Sequence, residues 1–495
     1  MSTTDHAGAE AGPGITLKVN QQKYLPAGSA EHEMHAVLTV TARGLRAGAA
    51  AGPEMAEVIV IDCSSSMWPM KITAAQRATA AAVEVLPDGT RFAIVEGTHE
   101  ARVVYPGSGG LAVAGPDTRA EATRAAHRLV ASGGTSVSAW LSLARELLDA
   151  TPAPLRHVLL LTDGKNEHDA PGVLDRVLAQ CVDHFTCDAR GIGDEWDAKE
   201  LTRITGRLHG AADAVLVEGD LAEEFRAVLR RALGRTLPDL RLRITHRAGS
   251  RIRMVKQLSP TEADLTARGR EVEAHTREYP TRAWGDESRQ YQVCLTAEAG
   301  RDPKGEDVQL GYVELVVDAP GVRLPEPEAI LVHWTDDPAL SSRVDPHLDH
   351  FARQAEMKRA VTAGCEALDD GDRAAAREEL GRAVRLAHAL GDDRMVRRLE
   401  NLVEIEDAAA GRVRLRDVIR PLHVQSAIVS TTHSGLVGAS AGARAGEPSG
   451  GAGRPHPSSP DRAGAPDVVC RVCGRRSPAD AAFCTACGTE LREGR

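Results

Sequence analysis

A short apolar run that ends in polar residues constrains the fold of this chain more than any other feature. Val58–Ile61 contains no polar side chain, which is typical of a strand buried on both faces of a parallel sheet. The run ends at Asp62, and Ser64 and Ser66 follow at alternate positions. Alternate residues of an extended backbone point the same way, so these three side chains can converge beyond the strand. In open α/β sheets, ligands bind at that edge.

The chemistry of these three residues favours a particular class of ligand. One carboxylate and two hydroxyls are hard oxygen donors, which suit Mg²⁺ or Mn²⁺ better than Zn²⁺. The alternative is that one of the serines caps the N-terminus of a following helix. The pattern D-x-S-x-S therefore predicts either a divalent-cation site or a helix cap.

Two later segments favour the cation site. Ser132–Ser136 reads Ser-Gly-Gly-Thr-Ser and places the hydroxyl of Thr135 in a tight loop before a helical segment. Arg156–Gly164 is a second apolar strand, and it ends in Thr-Asp-Gly with Asp163. Together with D-x-S-x-S, these motifs resemble the metal-ion-dependent adhesion site (MIDAS) of a von Willebrand factor type A (VWA) domain.

The resemblance to VWA domains implies a doubly wound, Rossmann-like α/β fold and a role for each motif residue. It implies that Ser64, Ser66 and Thr135 coordinate Mg²⁺, or Mn²⁺ or Ca²⁺ in its place. It further implies that Asp62 and Asp163 act directly or through water. VWA domains are known for binding an Asp or Glu of a partner protein through this ion, so the expected partner is an acidic protein surface.

The segments on either side of the VWA-like region predict a β-sandwich. At 495 residues the chain is too long for a single hydrophobic core. Gly14–Val40 alternates apolar and polar residues as two strands and a turn, and Leu237–Trp334 shows the same alternation with frequent turn residues. The later segment alone supplies few strands. We therefore expect a VWA domain that is inserted in, or flanked by, a sandwich built from both segments.

The residues after the sandwich predict helices. Asp345–Asp407 has apolar residues at helical spacing, with breaks at Asp369–Asp372 and Gly391–Asp393. Ala374–Gly391 resembles part of a tetratricopeptide repeat, but one partial repeat cannot form a solenoid, so we expect a packed helical bundle. The predicted divisions are a disordered N-terminus at 1–14, sandwich strands at 15–50, the VWA domain at 51–236, the sandwich at 237–335, the helical bundle at 340–410, an Arg/Ser/Thr-rich segment at 411–434, a flexible linker at 435–467 and a zinc ribbon at 468–492.

The zinc ribbon is predicted from two C-x-x-C pairs. Cys470 and Cys473 are followed, after an intervening segment of ten residues, by Cys484 and Cys487. This spacing predicts a tetrahedral Cys₄ site for one Zn²⁺, which is structural because protein thiolates take all four positions. So small a segment cannot fold on apolar burial alone, and we expect the metal to contribute on the order of 10 kcal/mol to its folding.

Composition excludes several classes of partner. The formal net charge of −10 and an aromatic content of 3% argue against strong nucleic-acid binding. Met1–Gly14 lacks the apolar core of a signal peptide, and no apolar run is long enough to span a bilayer. We therefore expect a cytoplasmic protein that does not bind membranes. Five scattered cysteines are expected to be reduced thiols of the core: Cys63, Cys181, Cys187, Cys294 and Cys365.

The motifs predict binding rather than catalysis. The chain has no G-x-S-x-G, H-E-x-x-H or phosphate-binding G-x-x-x-x-G-K-[S/T] pattern, so we expect that it is not an enzyme. The leading hypothesis is an intracellular, cation-dependent protein scaffold. Bacterial VWA proteins of similar layout occur beside Ser/Thr kinases, phosphatases and phosphothreonine readers, including stress-resistance systems, and this resemblance makes Thr431 and Thr432 candidate phosphosites. The alternative is a VWA subunit that regulates a metal-chelatase or AAA+ ATPase.

Overall fold

The computed structural model divides the chain into two units, Met1–Ala441 and Gly442–Arg495. In the second unit it describes only two short paired strands, so the predicted linker and the four ribbon cysteines lie outside the described residues. The predicted N-terminal tail also lies outside them, apart from Gly14. The described residues are 14–28, 31–45, 55–300, 302–319, 322–433, 468–469 and 476–477.

The described part of the chain begins with three strands. The first and third pair as an antiparallel hairpin in which Leu17 lies opposite Val40, and both side chains are buried because alternate residues face the same core. The strands are β1 (Gly14–Gln21), β2 (Tyr24–Pro26) and β3 (His32–Arg43).

A mainly parallel sheet with helices on both faces follows. Its strands are β4 (Met55–Asp62), β5 (Arg91–Gly97), β6 (Ala101–Tyr105), β7 (Ala112–Val113), β8 (Leu155–Thr162), β9 (Thr186–Ile192) and β10 (Ala212–Val215). Its helices are α1 (Met70–Glu84), α2 (Pro116–Ala126), α3 (Val137–Asp149), α4 (Val173–Cys181), α5 (Ala198–Arg207) and α6 (Leu221–Leu233). The strand order is β10-β9-β8-β4-β5-β6, and β7 pairs with β5.

Strand β4 lies in the middle of this sheet, and every one of its residues is buried. Val58 and Val60 pack in the same core as α3, α4 and α5, whereas Ile59 and Ile61 pack in the core of α1, α2 and α6. A strand covered on both faces needs apolar residues at successive positions, which is why Val58–Ile61 has no polar residue. The predicted doubly wound α/β fold is confirmed.

Eight further strands complete two mainly antiparallel sheets, in one of which β2 pairs parallel to β18. They are β11 (Arg241–His246), β12 (Ile252–Ser259), β13 (Ala263–Asp264), β14 (Arg270–Glu273), β15 (Thr276–Pro280), β16 (Ser288–Ala297), β17 (Asp307–Val316) and β18 (Glu328–Thr335). One sheet has the order β1-β3-β16-β12-β13, and the other has the order β14-β15-β11-β17-β18-β2. Strands from before the α/β sheet thus pair with strands from after it, and one apolar core that includes Leu38, Leu242 and Trp334 receives side chains from both sheets.

The remaining elements are helical except for one hairpin. They are α7 (Pro338–Ser341), α8 (Pro346–Asp369), α9 (Arg373–Leu390), α10 (Asp393–Leu399), β19 (Val403–Asp407), β20 (Arg412–Leu415) and α11 (Pro421–Ser430). The carboxylates of Asp345, Asp372 and Asp392 accept hydrogen bonds from the first backbone amides of α8, α9 and α10, so each helix begins at an aspartate cap.

The prediction that helix extends to Asp407 is wrong. After α10 the chain forms the β19–β20 hairpin, in which Ile405 lies opposite Val413 and Gly411 adopts a left-handed backbone (φ 69°) at the turn. Over so short a length, the apolar residues of Val403–Ile405 fit the periodicity of a helix as well as that of a strand. The pairing with β20 makes the segment a strand. No helix in the described part of the chain is both long and apolar enough to cross a membrane.

Candidate metal centre at the sheet edge

The parallel pairing of β4 and β8 places two carboxylates side by side. Ile61 lies opposite Leu161, so Asp62 and Asp163 emerge together at the carboxyl edge of the sheet. Thr162 Oγ1 donates a hydrogen bond of 2.6 Å to Asp62 Oδ2, and the backbone amide of Ser64 donates one of 2.8 Å to Asp62 Oδ1. These bonds hold the Asp62 carboxylate in one orientation.

Hydroxyl groups from the D-x-S-x-S segment lie against the second carboxylate. The Oγ atoms of Ser64 and Ser66 are 2.9 Å apart, and Ser66 Oγ donates a hydrogen bond of 2.7 Å to Asp163 Oδ1. In the short turn at Ser65–Met67 the side chain of Ser64 makes no capping hydrogen bond. The alternative of a serine N-cap is therefore wrong.

The loop with Thr135 completes a ring of oxygens around Gly164. A Cβ atom placed on Gly164 would lie 3.4 Å from Thr135 Oγ1, 3.5 Å from Ser66 Oγ and 4.0 Å from Asp62 Oδ2. Oxygens from the D-x-S-x-S segment and from the Thr135 loop thus lie beside Gly164, and Asp163 contacts the same group through Ser66. The structure brings together all five residues that the sequence singled out.

Backbone contacts hold the three segments in register. The amide and the hydroxyl of Ser65 each donate a hydrogen bond of 3.0 Å to the carbonyl of Gly133, and the amide of Ser132 donates to the carbonyl of Cys63. Gly133 has φ 76°, a left-handed conformation that favours glycine. The two amide bonds, which depend on no side chain, hold the loop that carries Thr135 beside the D-x-S-x-S segment without a ligand.

The Gly-Gly pair is also needed for space. A Cβ on Gly134 would lie 1.9 Å from the ring of His168, and one on Gly133 would lie 2.8 Å from Nδ1 of His99. His168 Nδ1 accepts a hydrogen bond from the Thr135 amide. Both histidines lie at the rim of the site, and sequence patterns missed them because the loops that carry them are distant in the chain.

The two carboxylates of the site are buried. Asp62 and the Asp163 side chain are inaccessible to solvent, and burial raises the pKa of Asp62 to about 6 despite the hydrogen bonds from Ser64 and Thr162. Lys71, in the first turn of α1, donates a hydrogen bond to Asp163 Oδ2. The sequence analysis missed this lysine, although its place just after the D-x-S-x-S motif was a usable signal.

The donor set fits a hard divalent cation. The three side-chain atoms nearest to a Cβ on Gly164 are all oxygens, and three of the five motif residues carry neutral hydroxyls. The space that a Cβ of Gly164 would occupy is bordered by these oxygens, so an ion bound beside it would meet donors from the D-x-S-x-S segment and the Thr135 loop.

The candidate phosphosites Thr431 and Thr432 lie at the C-terminal end of α11, remote in sequence from the residues of this centre. Thr431 is buried, and its hydroxyl donates a hydrogen bond of 2.7 Å to the carbonyl of Ile428. The hydroxyl of Thr432 donates in the same way to the carbonyl of Val429. Phosphorylation of Thr431 would therefore require the last turn of α11 to open.

Comparisons with known proteins agree with this geometry. The family model for the von Willebrand factor type A domain matches residues 57–214. A solved structure, von Willebrand factor type A from Catenulispora acidiphila, is 38% identical, covers 86% of this chain and 98% of its own, and superposes with a TM-score of 0.77. The ArnB paralog VWA2 from Sulfolobus acidocaldarius covers 85% of this chain and 98% of its own at 11% identity, with a TM-score of 0.51, which indicates a shared fold alone.

A curated relative matches a shorter part of the chain. The uncharacterized protein sll0103 of Synechocystis is 28% identical over 219 residues, which are 42% of this chain. The chain spans about half (49%) of the length of that relative.

Proposed function

Because the chain belongs to the von Willebrand factor type A family, we propose that it is a protein-interaction scaffold in which a divalent cation at the sheet edge binds a carboxylate of a partner. The residues that would hold the ion are Asp62, Ser64, Ser66, Thr135 and Asp163. Mg²⁺ is the expected ion, with Mn²⁺ or Ca²⁺ as substitutes. The ion supplies the positive charge to which an Asp or Glu side chain of the partner binds.

The convergence of oxygens around Gly164 is the observation that carries this proposal. The hydroxyls of Ser66 and Thr135 approach this point from two loops. Neither hydroxyl caps the helical segment that follows its loop. An ion held largely by neutral hydroxyls keeps most of its charge, so a partner carboxylate gains a charge-assisted bond on joining the shell.

The surface beside the site favours a protein partner. Trp68 and Met70 follow the D-x-S-x-S motif directly, and each is 68% exposed. Large exposed apolar side chains next to a polar anchor are typical of protein interfaces, where aromatic residues contribute much of the affinity. A partner that presents an acid beside an apolar patch fits both features.

The test is a pull-down with the full chain in Mg²⁺ and in EDTA, followed by a double-mutant cycle. Thr135→Ala removes one hydroxyl and should weaken the complex by about 1.5–3 kcal/mol, or roughly 10- to 150-fold. Ser65→Ala is the matched control, because the Ser65 hydroxyl bonds to the carbonyl of Gly133 instead. A coupling energy of zero between Thr135 and the partner's acid, with the ion bound in both proteins, would refute carboxylate capture.

The same experiment distinguishes the setting in which the scaffold works. We propose a cytoplasmic role in Ser/Thr-kinase-linked or stress-resistance signalling, without catalysis by this chain. Recovery of a kinase, phosphatase or phosphothreonine reader would support it. Recovery of an AAA+ or metal-chelatase ATPase whose turnover rises with the chain present would instead support the regulatory-subunit alternative.

The proposal includes one structural Zn²⁺ on Cys470, Cys473, Cys484 and Cys487. A chelator should then unfold only the C-terminal segment, because the predicted linker separates it from the remaining chain. Full zinc occupancy of a Cys484→Ser variant would exclude these four cysteines as the site.

A further inference from the structure

The outer face of the sheet that contains β3 and β16 carries a second group of metal-binding side chains. Met34 and Val293 belong to the core between the two sheets, so their chain neighbours project from the opposite face. On that face His35 of β3 lies directly opposite Cys294 of β16, and Glu33 lies two residues before His35. Ligand atoms of Glu33, His35 and Cys294 all lie within 4.8 Å of one another.

The separations are close to, and slightly larger than, those around a tetrahedral ion. His35 Nε2 lies 3.5 Å from Glu33 Oε2 and 3.9 Å from Cys294 Sγ. Bond lengths of about 2.3 Å to sulfur and about 2.0 Å to nitrogen and oxygen place tetrahedral ligand atoms about 3.3–3.6 Å apart. Small side-chain rotations would bring all three atoms to one ion without any movement of the strands.

A neighbouring side chain orients the imidazole for this role. The amide of Gln292 lies 3.3 Å from His35 Nδ1, which leaves Nε2 directed at Glu33 and Cys294. Histidines that bind metals commonly donate their other ring N–H to an oxygen acceptor. A 180° flip of the Gln292 side-chain amide exchanges its nitrogen and oxygen, and the oxygen then provides that acceptor.

One member of the cluster, His35, also lines a neighbouring cavity. His35 and Gln292 line a cavity of about 450 Å³ between this sheet and α8. Gln354 of α8 also lines it, is only 5% exposed, and its Oε1 has no hydrogen-bond partner among the residues that the structure describes. A buried, unpaired carbonyl oxygen is costly unless a ligand or a water meets it. The cavity beside His35 therefore has room for a small ligand and a buried polar group that such a ligand could meet.

From this arrangement we infer that Glu33, His35 and Cys294 form a soft-ligand metal site, separate from the oxygen site, that takes Zn²⁺ or another late first-row divalent cation. A thiolate with an imidazole selects these ions over Mg²⁺ or Ca²⁺. On binding, the S–H bond of Cys294 breaks, the metal–sulfur bond forms and the proton leaves to solvent. Three protein ligands leave the fourth tetrahedral position open for water or another ligand.

Cobalt titration of the full chain tests this site. The parent protein for this test carries serine in place of the four C-terminal cysteines, so that the predicted ribbon does not compete for Co²⁺. One equivalent of Co²⁺ should then produce a thiolate-to-cobalt charge-transfer band in the near ultraviolet, together with the strong visible bands of four-coordinate Co²⁺. Zn²⁺ should displace both. Cobalt at the oxygen site gives no thiolate band, so the two sites are distinguishable.

Variants assign the ligands. Cys294→Ser should abolish the thiolate band, and His35→Gln should weaken Co²⁺ binding at least tenfold. Cys365→Ser is the matched control, because Cys365 is an equally buried thiol in the core of the helices, and it should leave the band intact. His35→Gln, on the outer face, keeps the test valid if Cys294→Ser fails to fold. The absence of a thiolate band in the parent, or its survival in Cys294→Ser, would overturn the inference.

Discussion

Ser66 Oγ lies 2.7 Å from a carboxylate oxygen of Asp163, although 97 positions separate the two residues in the chain. The contact exists because β4 and β8 are neighbours in a parallel sheet and end at the same edge. Ser64 lies beside Ser66 in the same segment, and Thr135 approaches the same place from a third loop. The oxygen cluster therefore depends on the order of the strands in the sheet.

The first prediction concerns a single hydroxyl. Thr135→Ala should lower the Mn²⁺ affinity of the full chain by roughly 10- to 150-fold, the equivalent of about 1.5–3 kcal/mol, because one ligand is lost. The melting temperature should stay nearly unchanged. Calorimetric titration measures the affinity, and Ser65→Ala should bind Mn²⁺ as the parent does. Equal affinities of the Thr135→Ala and Ser65→Ala variants would remove Thr135 from the site.

The second prediction concerns the space beside Gly164. Gly164→Ala adds a methyl group at ordinary contact distance from Thr135 Oγ1 and Ser66 Oγ, so the chain should fold. The methyl group occupies space that the ion and its waters need, and Mn²⁺ binding should be lost. Gly206→Ala is the control, because a Cβ there meets no atom within 4 Å. A Gly164→Ala variant that binds Mn²⁺ normally would place the ion elsewhere.

The third prediction concerns Lys71. Its ammonium group donates a hydrogen bond to Asp163, so its charge opposes a cation at the same carboxylate. Lys71→Met keeps most of the side-chain volume and removes the charge, and Mn²⁺ affinity should rise on the order of tenfold at low salt. Lys199→Met, on the exposed start of α5, should have no effect. A fall in affinity would show that Lys71 positions Asp163 rather than competing with the ion.

The fourth prediction concerns a buried charge network inside the sheet. His157 Nδ1 lies 2.8 Å from Glu57 Oε2, and Nε2 lies 3.2 Å from Asp188 Oδ2. Burial alone would lower the pKa of His157, but the adjacent carboxylates raise it to about 9. The protonated form is thus favoured in the folded state, so its stabilisation is complete below the unfolded pKa of about 6.5 and is lost as pH rises through 9.

Denaturant unfolding between pH 7 and pH 9.5 measures this loss. The free energy of unfolding should fall by about 1 kcal/mol per pH unit, because His157 loses one proton when the chain unfolds in this pH range. The double variant Glu57→Gln with His157→Gln removes the titrating pair at similar volume, and its slope over this range should be close to zero. An unchanged slope in the double variant would assign the pH dependence to other groups.

The fifth prediction concerns the strands before the α/β sheet. Deletion of residues 1–45 removes β1 and β3, which leaves β16 as an edge strand and uncovers core residues such as Leu242. Residues 237–335 should then be cleaved much faster by protease, while the α/β sheet stays resistant. Equal resistance of residues 237–335 in the full and shortened chains would show that the later strands fold alone.

The α/β fold and the convergence of the five motif residues at one sheet edge were predictable because their signals are local. Val58–Ile61 is apolar at successive positions since both faces of β4 are covered, and polar residues at its end mark the edge of a sheet. Each motif needed only its own few residues to be recognised. The cysteine pairs of the predicted zinc ribbon belong to the same class of local signal, and that prediction remains untested.

Tertiary structure alone decided the rest, because it sets distances between residues that are far apart in the chain. Lys71 meets Asp163, and Glu57 meets His157, only once the strands are in register. The β19–β20 hairpin is too short for its periodicity to exclude a helix, and its pairing settles the matter. His35 and Cys294 each look like an ordinary strand residue, and only the pairing of β3 with β16 makes them neighbours. A strand's own sequence determines which faces are buried, but its partner determines which side chains meet.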